Sequence, residues 1–146
     1  MFAPGGALAR ALPGFEPRAA QRAMAAAVAD TFGRGGALLV EAGTGIGKTL
    51  AYLVPAILSR RRVLVSTGTK NLQEQIFFKD LPLLREALGT PFSAVCMKGR
   101  GNYLCRHRFE MFRARPGLFP SAEREALAAL EAWAPTTTTG DRAELA

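Results

Sequence analysis

The chain has 146 residues, room for one modest domain, and 49% of them are hydrophobic, enough to build a core. Its 19 Lys and Arg against 12 Asp and Glu give a formal net charge of +7, a balance that favours polyanionic partners but also fits an ordinary solvated surface. Two cysteines make no disulfide framework, MFAPGGALARALPGFEPR lacks the basic start and apolar run of a signal peptide, and the longest apolar stretch, TLAYLVPAILS, is far short of the roughly 20 residues of a membrane span; the expectation is a soluble cytoplasmic protein with no membrane contact.

In chain order, residues 1–17 are rich in Gly, Pro and Ala and read as an irregular lead-in. Residues 18–32 have a helical pattern, with Met24, Val28 and Phe32 on one stripe, ended by Gly33, Gly35 and Gly36. ALLVEA, residues 37–42, is a short apolar run expected to be a buried strand. A Gly-rich turn follows, then a helix from Lys48 that Pro55 should kink. VLVST is a second buried strand, NLQEQIFFKDL a helix that Pro82 bends or stops, and SAVCMK, residues 93–98, a third strand. Residues 106–113 and 121–133 read as helices; in the latter, Leu127, Leu130 and Trp133 share a face. PTTTTG is a polar loop. Strands alternating with helices imply an α/β fold with a parallel sheet.

AGTGIGKT, residues 42–49, lies between a strand and a helix, where a phosphate loop belongs. Gly47, Lys48 and Thr49 fit the G-x-x-x-x-G-K-[ST] pattern; Ala42 stands in place of its first glycine. Gly43, Gly45 and Gly47 let the backbone turn tightly and aim N–H groups at phosphate oxygens. Thr44 and Ile46 complete the loop. The next helix presents its positive end to the same phosphates. Lys48 can reach the β- and γ-phosphates of ATP, and the Thr49 hydroxyl can ligate Mg²⁺. The plainer alternative is a glycine-rich turn with its lysine in solvent.

VEAGTGIGKTLAYLVPAI resembles motif I of superfamily 2 helicases, which write this loop A-x-x-G-x-G-K-T. STGTKNLQEQ, residues 66–75, resembles motif Ia of the DinG/XPD branch. KGRGNYLC, residues 98–105, is similar to the segment where that branch begins its iron–sulfur domain, and GDRAEL near the end also resembles the bacterial DinG type. The resemblance covers about residues 12–146. It implies a partial RecA-like P-loop NTPase domain, with a parallel sheet flanked by helices. Residues 18–98 would form the N-terminal part of the first ATP-binding domain, and residues 99–146 the start of an iron–sulfur insertion.

Other residues gain roles from the same resemblance. In FEPRAAQ, residues 15–21, Phe15 would stack on adenine, Gln21 would match its N6 and N7 edge, and Arg18 lies close by. Otherwise Phe15 is a hydrophobic staple and Gln21 a surface residue. Thr67, Thr69 and Lys70 would meet a phosphate of single-stranded DNA; alternatively Thr69 or Asn71 simply caps a helix. Lys98, Arg100, Arg106, Arg108, Arg113 and Arg115, interleaved with Tyr103 and Phe109, suit a nucleic-acid backbone or a solvated helix face. In the resembled family four cysteines hold a 4Fe–4S cluster, and Cys105 would be the first. Cys96 reads as a core residue and His107 as a surface one.

No D-E-x-H motif occurs, and no second motor domain follows. The expectation is therefore the N-terminal piece of a longer protein, inactive alone. The resemblance implies that the complete protein is a monomeric ATP-dependent DNA helicase of the DNA-repair kind. It would move 5′ to 3′ on single-stranded DNA and open forked duplexes. The alternatives are another P-loop ATPase, such as a nucleotide kinase, or a non-catalytic nucleotide- or DNA-binding module.

Overall fold

The computed structural model describes residues 1–114 and 121–145. They fall into two compact units, one ending at Cys96 and one starting at Met97. Arg115 lies outside the described residues.

The first unit is built from helices. The Gly/Pro/Ala lead-in is more ordered than expected: it contains α1, Ala7–Ala11. The reason is burial, since Leu8 is completely enclosed and Phe2 nearly so, and α1 packs on α5, Leu81–Leu88. α2 spans Ala19–Arg34 and runs through Gly33. Gly35, at φ 80°, closes it by donating its N–H to the Thr31 carbonyl at 2.8 Å. Its buried stripe is Gln21 and Ala25, with Met24, Val28 and Phe32 only half-buried. α3, Lys48–Leu58, packs along α2 and continues through the buried Pro55.

The helix after the second apolar run starts as α4, Lys70–Gln75. It does not stop at Pro82. A π turn, Ile76–Asp80, precedes α5 and keeps the chain helical to Leu88. Proline lacks an N–H and its ring crowds the carbonyl four residues back; widening the preceding turn accommodates both. Ile76, Leu81 and Leu84 join Phe2, Leu8, Ala25, Ala51, Leu53 and Val54 in one core.

The expected parallel sheet is not formed among the described residues, whose one β-bridge is Tyr103–Asp141. Residues 37–43, 63–67 and 91–98 are non-helical and exchange no ladder bonds. Nor are they buried as anticipated: Leu39 is 100% exposed and Leu64 93%, while their neighbours Leu38, Val40, Val63 and Val65 are about 40% exposed. That two-residue alternation is strand-like. A ladder additionally needs neighbouring strands of matching register, and such pairings are non-local. Cys96, expected in a core, is half-buried on the third of these segments.

The second unit contains α6, Arg106–Arg113, and α7, Ser121–Trp133. Its ends are clasped. Lys98 Nζ lies 2.7 Å from Asp141 Oδ2, both largely buried, and the Leu104 N–H donates to Gly140 at 2.8 Å. The Tyr103 hydroxyl accepts from the Lys98 N–H at 2.8 Å. The threonine tract is not an idle loop: Thr137 and Thr139 both donate to the Glu144 carboxylate. Among the described residues no helix is long and apolar enough to cross a membrane.

A candidate nucleotide site on the glycine loop

Residues 43–47 carry the loop from an extended segment into α3 without any regular structure of their own. Gly45 and Gly47 both sit at φ 80°, a region open to glycine and strained for other residues. The space beside Gly43 and Gly45 is open, with no atom within 4 Å of where a Cβ would be. Gly47 has a second constraint, since a Cβ there would lie 2.1 Å from the Gln21 amide nitrogen.

Three side chains converge on this loop from different places. Lys48 Nζ donates to the Ala42 carbonyl at 3.0 Å and to the Gly43 carbonyl at 2.7 Å. Gln21, 3% exposed, donates its amide N–H to the Gly47 carbonyl at 3.0 Å. Arg18 donates to the Gly45 carbonyl and pairs with Glu16 at 3.4 Å. With Phe15 and the loop, Arg18 and Gln21 line a cavity of about 210 Å³. The structure thus brings Phe15, Arg18 and Gln21 to the glycine loop. Neither bond from Arg18 nor from Gln21 is visible in sequence, because each spans more than 25 positions.

The sequence also gives no hint of two further residues. Tyr52, one turn after Thr49, shares a hydrogen bond with the Thr49 hydroxyl. Burial raises the phenol above its ordinary value; the Thr49 bond opposes this and the Asp80 charge adds to it. Burial likewise raises the Asp80 carboxyl, against a bond from Gln75 and the nearby Lys79 charge. Asp80 Oδ2 is buried and accepts no hydrogen bond. An aspartate inside a helix whose following proline is already known gives no such signal.

This donor set suits a triphosphate with its cation. It offers an ammonium, a hydroxyl and a loop with open space above two glycines, at the start of an 11-residue helix. The fit to an iron–sulfur cluster is different. Cys105 is exposed and occupies the N-cap position of α6 without a side-chain cap bond, and a 4Fe–4S cluster takes four thiolates. Among the described residues no group of three or more His, Cys, Asp and Glu could hold a metal. These residues alone do not fit a complete cluster.

At the second apolar segment's end, Thr69 caps α4 by accepting from the Leu72 N–H at 3.3 Å, and Thr67 donates to the Thr69 carbonyl at 3.0 Å. Lys70 is exposed. The basic segment is smaller than its composition suggests. Lys98 is committed to Asp141, and Arg113 to Glu110 and Glu131, each at 3.3 Å. Arg100, Arg106 and Arg108 are exposed, as is His107.

Residues 18–100 match the family described as DEAD/DEAH box helicase. Over 140 residues the chain is 45% identical to the ATP-dependent DNA helicase YoaA of Escherichia coli (strain K12), covering 96% of this chain and 22% of that protein. It is 41% identical over 160 residues to the ATP-dependent helicase DinG of Mycobacterium tuberculosis (strain ATCC 25177 / H37Ra), covering 95% and 24%. With the 3'-5' exonuclease DinG of Bacillus subtilis (strain 168) it shares 39% identity over 144 residues, covering 95% and 15%. The chain therefore spans between about a seventh and a quarter of the length of these relatives. Glycine loop, spacing and similarity agree, and the chain belongs to the DEAD/DEAH box helicase family, with proteins of the DinG and YoaA type among its relatives.

Proposed function

We propose that this chain is the N-terminal portion of an ATP-dependent DNA helicase, in which it supplies the nucleotide-binding half of the first motor domain. The observation that carries this is the braced glycine loop: Arg18, Gln21 and Lys48 all hold its carbonyl oxygens, which leaves its amides to face phosphate. When bound, Mg²⁺ would shield phosphate charge, with Thr49 as its protein ligand. Lys48 would exchange the Ala42 and Gly43 carbonyls for β- and γ-phosphate oxygens and stabilise the charge that develops there. Phe15, Arg18 and Gln21 would border the base and sugar.

The alternating exposure of residues 38–40 and 63–65 supports a reading in which these segments are strands of a RecA-like parallel sheet, completed by neighbours. Thr67, Thr69, Lys70 and Arg100 would meet single-stranded DNA. Cys105 would donate one thiolate to a 4Fe–4S cluster whose other ligands lie outside this chain. Movement 5′ to 3′, action on forked duplexes, a monomeric state and a cytoplasmic place complete the proposal. A relative called an exonuclease makes nuclease activity the competing reading for the complete protein.

The test is ATP hydrolysis by the complete protein, with and without single-stranded DNA. DNA-stimulated hydrolysis that Lys48→Ala abolishes is expected. Retention of more than about a tenth of the rate in that variant would remove Lys48 from the transition state, since such a loss corresponds to only about 1.4 kcal/mol.

A further inference from the structure

The bond from Gln21 to Gly47 ties the start of α2 to the start of α3, and the two helices then pack along each other. The groove beside them holds a cavity of about 720 Å³. It follows α2 from Arg22 to Gly33, roughly 16 Å at 1.5 Å per residue, but touches α3 only from Val54 onward, the half away from the glycine loop. Its walls are apolar, with Phe2, Phe32, Val54, Pro55 and Leu58 among them. Phe2, Val54 and Pro55 are buried, whereas Leu58 is left 45% exposed.

Positive charge stands at both ends of this groove. Arg22 is in the first turn of α2, Arg61 lies just past α3, and both are exposed. No carboxylate lines the cavity, and among the described residues neither arginine side chain forms an ion pair. Arg61 belongs to the exposed run Arg60–Arg62. Arg60 takes the left-handed turn, φ 53°, that glycine fills most readily at a helix end, so an arginine there carries a conformational cost. The run has no part in the helicase reading. It precedes the extended residues 63–67, while the DNA candidates Thr67, Thr69 and Lys70 stand at the other end of that segment.

We propose that this cavity is a docking surface for a partner protein, which presents to it an acidic amphipathic helix. Charge complementarity and shape select the occupant. A nucleic-acid strand would pair with the arginines but offers no aliphatic surface to Phe2, Phe32 and Leu58. An uncharged apolar segment would leave Arg22 and Arg61 without partners. A groove of this length alongside two helices accepts about three helical turns, with apolar anchors at i, i+3 or i+4 and i+7 and carboxylates towards both ends. Guanidinium groups suit that task because they pair with carboxylates through two parallel hydrogen bonds. A helix seated here lies clear of the glycine loop, so the surface recruits a partner and leaves the nucleotide site open.

The experiment uses the complete protein and a fluorescein-labelled designed helix of about 14 residues, with leucines along one face and glutamates at both ends. Fluorescence anisotropy should show saturable binding that weakens as salt rises. Arg22→Glu and Arg61→Glu should each weaken it roughly tenfold, and Leu58→Glu at least as much, with ATP hydrolysis unchanged in all three. The three side chains are exposed, so the variants should keep the fold. Arg61→Glu should regain affinity for a peptide carrying lysines in place of the glutamates, which general damage to the surface would not produce. No saturable binding, a lysine-ended peptide that binds wild type as well as the acidic one, or affinities within about twofold of wild type in all three variants would overturn the proposal. So would displacement of the peptide by single-stranded DNA, which would make this a nucleic-acid surface, or a concentration-dependent dimer abolished by Leu58→Glu, which would make a second copy the occupant. Leu58→Cys tests the last alternative: failure of a maleimide to label it in the folded complete protein would show that the protein covers the cavity with its own chain, and would equally overturn the proposal.

Discussion

The Gln21 side-chain amide donates to the Gly47 carbonyl at 3.0 Å, across 26 positions of sequence. One bond thus ties α2 to the turn that starts α3. Gln21→Ala should cost about 1 kcal/mol, the usual net worth of a partly buried hydrogen bond. Gly47→Ala should cost more, because a Cβ is strained at φ 80° and meets the Gln21 amide. The double variant relieves that clash and should lose less than the sum of the two. Urea melts of all three check this; strict additivity would show that the two residues do not touch.

Lys98 and Asp141 form a largely buried ion pair. Lys98→Met leaves a carboxylate without its cation and should destabilise by about 3 kcal/mol, whereas Lys98→Met with Asp141→Asn should recover most of it. Protease digestion with mapping of cuts within residues 97–145 is the measurement. Equal protection in the single variant and wild type would show that the clasp does not hold this unit.

Asp80 and Glu144 should give opposite pH trends. Burial raises the Asp80 carboxyl, so the folded state holds its proton more tightly than the unfolded chain. Stability from this group is therefore greatest below the ordinary carboxylate value and falls as pH rises through the raised folded value. Hydrogen bonds from Thr137 and Thr139 lower Glu144. Its contribution is present above the ordinary value and is lost as pH falls through the lowered one. Melting temperatures between pH 3 and 8 should rise relative to wild type for Asp80→Asn as pH increases, and fall for Glu144→Gln only at the neutral end. A pH-independent difference for Asp80→Asn would contradict burial as the cause.

In the complete protein, Cys105→Ser should lose bound iron and its visible absorbance, and Cys96→Ser should keep both. Cys105 is exposed at the head of α6, while Cys96 is half-buried on an extended segment. Equal iron in the two variants would remove Cys105 from the ligand set.

The 146-residue chain by itself should hydrolyse no ATP, because it offers no D-E-x-H acid and no arginine from a second domain. Its binding to single-stranded DNA should weaken with salt. If Lys70, Arg100, Arg106 and Arg108 each meet one phosphate, the log–log slope should be roughly −3. Phosphate release and fluorescence anisotropy at several salt concentrations are the readouts. DNA-stimulated turnover by this chain would mean that its catalytic groups lie elsewhere than proposed.

Local chemistry was legible in the sequence. Glycines at the turn, the lysine and threonine after them, the Thr69 cap and the helices at 106–113 and 121–133 all depend on residues within a few positions of one another. So did the order of motifs that pointed to the family. Only the tertiary structure decided which charges are already committed, as Lys98 is to Asp141 and Arg113 to Glu131. It also decided that Arg18 and Gln21 brace the loop, that an Asp80 carboxylate oxygen is buried, and that Leu8 turns a Gly/Pro-rich lead-in into part of the core. The expected strands mark the same boundary from the other side. Their apolar runs dictate an extended, alternating backbone, but a ladder needs partners far away in sequence, and hydrophobic pattern alone does not supply them.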